Sequence, residues 1–215
     1  MVIVVFDMDG TLIEGDSWRA TNSYFGVENR HIFSYLRGEI TYEKYLELTC
    51  KEWARKNGGR VYYKDLEEAV RNLTARDGLK ELMDLLEKRG WRKGIISAGI
   101  DSLSSRFCRE FDFDFCFANG FEYEIENGKR RLNGKGIPRV ELKRKGEVLE
   151  GVLNVFENDL CIVLGNTKYD IPMFKRAKLS IAINPKDEET EKSADFVING
   201  KDFYPVIELL DSLKV

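Results

Sequence analysis

Histidine occurs once in this 215-residue chain, at His31, and glutamine does not occur at all. Cysteine occurs four times (Cys50, Cys108, Cys116, Cys161), and no two are in CxxC spacing. One imidazole and four scattered thiols argue against a Cys/His zinc site, and the cysteines are expected as free core thiols in a reducing cytoplasm. No apolar run approaches the roughly 18 residues of a membrane-spanning helix. The apolar start has neither a basic leader nor a small-residue cleavage site, so it reads as a strand rather than a signal peptide. Strong charge of one sign is also missing. The formal net charge is -3, which leaves no basic field to recruit nucleic acid. What the chain does have is 43% hydrophobic and 12% aromatic residues, enough to bury one large domain or a core with a smaller unit.

The apolar runs are short. "VIVVF" (2–6), "RKGIIS" (92–97), "DFDFCFAN" (112–119), "CIVLG" (161–165), "LSIAIN" (179–184) and "DFVIN" (195–199) read as six strands. Amphipathic helices are predicted between them at 77–90, 146–158, 170–178 and 204–213. The first places Leu79, Leu82, Met83 and Leu86 on one stripe and closes on Gly90. Strands alternating with helices predict an α/β fold: a Rossmann-like parallel sheet with helices on both faces and right-handed crossovers. Two segments break the rhythm. Residues 14 to about 76 hold no strand run and show helical spacing, which predicts a helical insert. Residues 121–134 alternate around Asn127-Gly128, a hairpin signal.

In an open parallel sheet, ligands bind beyond the carboxyl ends of the strands. The first run ends in Asp7 and Asp9, followed by Gly10 and Thr11. The second delivers Ser97, Ala98 and Gly99, and the fourth delivers Gly165, Asn166, Thr167 and Asp170. Lys143 and Lys145 precede the helix before the fourth strand. Such a set gathers carboxylates, a carboxamide, a hydroxyl and an ammonium at one edge. Crowded carboxylates call for a cation or a proton, and oxygen-only ligands suit Mg²⁺ where phosphate is handled. One aspartate can attack phosphorus, and a second can pass protons to the leaving alcohol and from water. The plainer alternatives are a turn capped by Asp7 and Asp9, a loop hydroxyl at Ser97 and a helix-cap pair at Asn166 and Asp170. Most of the aromatics of the insert read as helix packing, with one or two closing over the site.

"FDMDGT" (6–11), Ser97 in "GIISAG", Lys145 in "KGEVLE" and "GNTKYDIPMF" (165–174) resemble, in order, the four motifs of the haloacid dehalogenase-like superfamily in its phosphatase branch. "GEITYEKYLEL", "FAN", the hairpin and "AINPKDEETEKSADFVI" resemble the phosphoserine phosphatase-like branch. The resemblance implies a core at 1–13 and 77–215 with a small helical C1-type cap at 14–76. It implies Asp7 as nucleophile and Asp9 as general acid/base. Ser97, Ala98, Gly99, Lys145, Thr11 and Asp16 would bind substrate, with Lys143 as the other candidate lysine. Asp7, Asp9, Asn166 and Asp170 would hold Mg²⁺, Asp170 directly or through a water. The expected ligand is a small phosphorylated metabolite, met by a cytoplasmic monomer or homodimer that engages neither nucleic acid nor membrane.

Two departures stand out. The fourth motif of the family carries aspartate where this chain has Asn166, which removes one negative charge from the metal site and suggests a weakened member that binds a phosphorylated ligand or a protein partner. In that branch an acidic residue after the first motif and a cap arginine meet the substrate's amino and carboxylate groups. Asp16 or Glu14 fits the first role, but "YEKYLELTCKEW" has no arginine.

Overall fold

The structure, a computed structural model, describes residues 2–157 and 160–213. The first apolar run forms strand β1 (Val2–Phe6), buried at all five positions. Its side chains alternate as a strand between two covered faces must. Val2, Val4 and Phe6 enter one apolar layer, and Ile3 and Val5 enter the layer on the other face. Flanking it are β2 (Arg92–Ile100) and β5 (Leu160–Gly165), both parallel to it. The sheet extends through β3 (Phe115–Glu126) and β4 (Lys129–Ile137) on one side and through β6 (Leu179–Ile183) and β7 (Phe196–Ile198) on the other. Its order is β4-β3-β2-β1-β5-β6-β7, with β3–β4 the antiparallel pair. The crossovers leave β1 in opposite directions, so a crevice opens at the carboxyl end of β1.

Helices α1 (Ser17–Tyr24), α2 (His31–Leu36), α3 (Tyr42–Lys56) and α4 (Tyr63–Ala69) lie between β1 and β2 in the chain, followed by α5 (Leu79–Lys88). The rest are α6 (Asp101–Glu110), α7 (Lys145–Val155), α8 (Ile171–Phe174), α9 (Glu188–Ser193) and α10 (Tyr204–Ser212). Asp16 caps α1 by accepting from Arg19 N at 2.7 Å, and Thr41 caps α3 by accepting from Lys44 N at 3.2 Å. Helix α5 lays the expected stripe of Leu79, Leu82, Met83 and Leu86 on the sheet. Each such side chain contributes about 1.5–3 kcal/mol of transfer free energy.

The inserted helices do not share that core. They form a third apolar cluster in which Trp18, Phe25, Tyr45 and Trp53 pack with Ile100, Phe121 and Leu132 of the strands. Aromatic edges interlock there, with the Trp53 and Phe121 rings 5.2 Å apart. Strand β3 thus begins in the sheet and carries Phe121 into the helical layer before running out to the exposed hairpin.

Three expectations need correction. The third strand starts at Phe115 rather than at 112: Asp112 takes a positive φ of 52°, and Asp114, whose backbone N–H donates to Lys93 O, accepts from Lys93 N with its side chain rather than its own carbonyl. Cys108 and Cys116 form a disulfide between α6 and β3, with Cα atoms 6.2 Å apart, so two of the four thiols are not free. Cys50 and Cys161 are free and buried. Helix α7 ends at Val155, earlier than the predicted 158, and Asn158 itself lies outside the described residues. Among the described residues no helix is long and apolar enough to cross a membrane.

Candidate active site

A cavity of about 360 Å³ opens at the carboxyl end of β1, walled by the strand-end loops below and by α1 and α3 above. Asp7 follows directly from β1 and is 3% exposed. Its backbone N–H still pairs with Leu164 O, so β1's ladder sets where the carboxylate points. Lys145, the first residue of α7, donates from Nζ to Asp7 Oδ1 and to Asp170 Oδ1, both at 2.7 Å. An ammonium has three donors, so one N–H remains for the cavity. Lys143, the other candidate lysine, lies elsewhere: it donates to Leu36 O at 3.2 Å and sits over the Tyr35 ring.

Burial pushes Asp7 up to about 6, against the pull of Lys145 and with a push from Asp170. Burial alone would lower Lys145, but Asp170 and Asp7 more than offset it and hold the ammonium charged. Asp9 is half-buried at the next turn. Both its oxygens are taken by the first residue of α1: Ser17 N donates to Oδ1 at 2.9 Å and Ser17 Oγ to Oδ2 at 2.7 Å. Burial first, then the neighbouring charge of Asp16, raises Asp9 well above the ordinary carboxylate range, while the Ser17 bonds pull it down. Burial thus pushes both neighbouring carboxyls upward, while Lys145 pulls only Asp7 back down, so the two stand in different environments, as paired acid–base groups do.

The loop after β2 forms a second wall. Ser97, 1% exposed, accepts from Gly99 N at 3.1 Å. Ala98 O is tied by Trp18 Nε1 at 2.8 Å, Asn119 Nδ2 at 2.9 Å and Tyr42 Oη at 3.3 Å. Gly99 has no room for a side chain, since a Cβ there would stand 2.7 Å from Asp9 Oδ2 and Ser17 Oγ. Gly10 takes φ +82° and passes so close to Asn166 that a Cβ would stand 2.0 Å from its Nδ2. Both glycines let backbone approach the reacting corner.

Asn166 is 2% exposed, and its Oδ1 meets no hydrogen-bond donor among the described residues. A buried carbonyl-type oxygen on the wall beside Asp7, left without a donor, is of the kind that suits a hard cation. The residues present fit Mg²⁺, which Asp7 and Asn166, with the backbone carbonyl of Asp9, could hold. Asp170 is fully buried, just behind the residues that line the cavity. Its Oδ1 is bound by Lys145, and its Oδ2 accepts from Asn166 N at 2.9 Å, Thr167 N at 3.0 Å and Thr167 Oγ1 at 3.2 Å. It ties the lysine to the fourth loop. Among the described residues no three His, Cys, Asp or Glu side chains come together as a metal set. Thr11 is also off the wall: its side chain is fully buried beneath the Gly10 turn.

Several residues of the site carry no sequence signal of their role. Arg19, one turn after Asp16 on α1, lines the cavity, and its guanidinium has no hydrogen bond or ion pair to a described residue. Asn29 lines the same end, with its Oδ1 buried and without a donor. From α3 the wall receives Tyr42 and Tyr45. Asn119, within "FAN", is fully buried and joins three segments, since its two Nδ2 hydrogens are shared among Ala98 O, Val140 O and Tyr42 Oη, each at 2.9 Å, and its Oδ1 accepts from Val140 N at 3.0 Å.

The family profile described as haloacid dehalogenase-like hydrolase matches residues 4–175, and a second profile of the same description matches 143–210. The phosphoserine phosphatase of Methanocaldococcus jannaschii is 27% identical over 218 residues, which cover 97% of each chain. That of Archaeoglobus fulgidus is 29% identical over 191 residues, 86% of this chain and 53% of the relative, so this chain spans about half that protein's length. A solved phospho-aspartyl intermediate analogue of phosphoserine phosphatase shares the fold with a TM-score of 0.76, at 24% identity, covering 96% of this chain and 97% of that one. The chain belongs to the haloacid dehalogenase-like hydrolase family, and its enzyme class is the phosphoric monoester hydrolase.

Proposed function

We propose that this chain is a Mg²⁺-dependent phosphatase that hydrolyses a small phosphorylated metabolite through an aspartyl-phosphate on Asp7, with helices α1–α4 acting as a cap over the cavity. The carrying observation is the arrangement at the carboxyl end of β1, where a buried carboxylate and an ammonium 2.7 Å apart face a cavity beside a second carboxyl, Asp9, held by Ser17 through both oxygens. In this reading the Asp7 carboxylate attacks phosphorus. The bond to the leaving oxygen breaks, and the proton of Asp9 goes to that oxygen. Asp9, now ionised, takes a proton from water, whose oxygen attacks the acyl phosphate and releases inorganic phosphate from Asp7. Lys145 and Ser97 hold the phosphoryl oxygens. Mg²⁺ bound at Asp7, Asn166 and the Asp9 carbonyl would neutralise charge on those oxygens. A panel of phosphomonoesters assayed with Mg²⁺, para-nitrophenyl phosphate included, tests the reading. No hydrolysis of any would overturn it.

The far end of the cavity supports a substrate whose second charged group meets Asp16 or Arg19, as phosphoserine, named in the relatives, would. Arg19→Ala is expected to raise KM about tenfold for substrates with a second anionic group, the equivalent of one charge-assisted hydrogen bond. The KM for para-nitrophenyl phosphate should be unchanged. Equal effects on both would remove Arg19 from substrate recognition.

Asn166 also favours a second reading, a weakened member that binds a phosphorylated ligand or protein partner. Asn166→Asp separates the two. On the phosphatase reading the added charge lowers the Mg²⁺ concentration for half-maximal rate by about tenfold. The rate at saturating Mg²⁺ then stays within about threefold of the parent's. A far larger rise in that saturating rate supports the weakened member.

A further inference from the structure

From the geometry we infer that Arg76 is a positioning residue for the acid step, fixing the loop that carries Asp9. This rests on the phosphatase reading above. Arg76 lies on the return connection between α4 and α5, outside every motif. Its side chain is 5% exposed. Nη2 donates to Gly10 O at 3.1 Å and Nε to Thr11 O at 2.9 Å, so adjacent arms of one guanidinium grip two successive carbonyls. Nη1 donates to Glu14 Oε1 at 3.2 Å and to Gly200 O at 3.3 Å. The backbone N–H of Arg76 adds a bond to Leu12 O at 2.9 Å. A single buried cation therefore joins the nucleophile loop, both connections of the helical insert and the loop beyond β7.

Gly10 immediately follows Asp9, and its carbonyl is one of the two in the grip. The segment 10–14 also delivers the first turn of α1, where Ser17 binds both oxygens of Asp9. Backbone and carboxylate of the acid are thus set from two ends of one segment, and Arg76 is the side chain that fixes that segment. Lysine keeps the charge but not the planar fork, because its three donors radiate from one atom. Arg76→Lys should leave the charge in place and loosen the two-carbonyl grip.

The leaving group separates positioning from bracing. An alkyl phosphate needs the proton of Asp9, whereas para-nitrophenolate leaves without one. Arg76→Lys is expected to lower kcat/KM, which reports phosphoenzyme formation alone, by about tenfold or more for an alkyl phosphomonoester, the scale of a displaced general acid. It should change kcat/KM for para-nitrophenyl phosphate less than about threefold, with both values expressed per folded molecule; the later attack of water, which Asp9 also assists, is common to both substrates and enters kcat only. Hydrogen exchange of peptides covering 7–16 should quicken while those in β1 and β5 do not. Equal losses on both substrates, or exchange unchanged over 7–16, would overturn the inference. A parent protein inert toward both substrates overturns the phosphatase reading instead, and the exchange result still decides the role of Arg76 in the loop.

Discussion

Asp7→Asn is expected to bring turnover down by at least about 10⁴-fold, because a carboxamide cannot form the acyl phosphate. The substitution keeps volume and planarity at a site with no spare room. Lys145 keeps its bond to Asp170, so the fold should survive. The parent folds with Asp7 raised to about 6 from 3.8, mainly by burial. A carboxyl raised on folding stabilises most when protonated, and that contribution fades as pH climbs toward about 6. At pH 7.5 in chelator, the asparagine variant should therefore melt at or above the parent's temperature while being inactive. Melting curves from pH 4 to 8, beside turnover, check both halves. An active asparagine variant would remove Asp7 from the chemistry.

The second large effect concerns stability. Lys145→Met leaves the carboxylates of Asp7 and Asp170 buried and facing one another, with their shared cation gone. Removing one partner from a buried ionic cluster costs about 3–5 kcal/mol. In a chain of this length, about 2–4 °C is lost per kcal/mol, so the midpoint should fall by roughly 6–20 °C at neutral pH. The deficit has a sign with pH. Without the ammonium the folded carboxyls bind protons more tightly, so the variant recovers towards the parent as pH falls. Calorimetry of both proteins at pH 4.5 and 7.5 tests this. A pH-independent deficit would mean that lost packing, not charge, sets it.

The strands were legible because a sheet covered on both faces demands continuous apolar runs, and "VIVVF" and "CIVLG" are little else. Helix α6 was not read from the sequence. "DSLSSRFCRE" offers the layer Leu103 and Phe107 among serines, too thin a stripe to stand out. Helix α9 has no apolar stripe, and it starts where Asp187 accepts from Thr190 N at 2.8 Å. In the candidate site, motif order located Asp7, Asp9, Ser97 and Lys145, and the structure gathers all four around one cavity. Proximity alone could not choose between Lys143 and Lys145. The start of α7 does, by aiming one at Asp7 and the other at α2. The bonds of Asp170 to Lys145 and to the Asn166 and Thr167 backbone are ones that spacing does not show. Arg76 and Asn119 act mostly on backbone carbonyls, which leave no trace in side-chain pattern.

The indole of Trp18 joins three parts of the molecule: it lines the cavity wall, holds Ala98 O and packs within the aromatic layer near Trp53. Trp91, the third tryptophan, belongs to the sheet layer instead. One of the three tryptophans therefore lines the cavity and a second packs against it, while the third stands apart in the sheet layer, so indole emission on adding a phosphorylated ligand is expected to report on Trp18 against the background of Trp91.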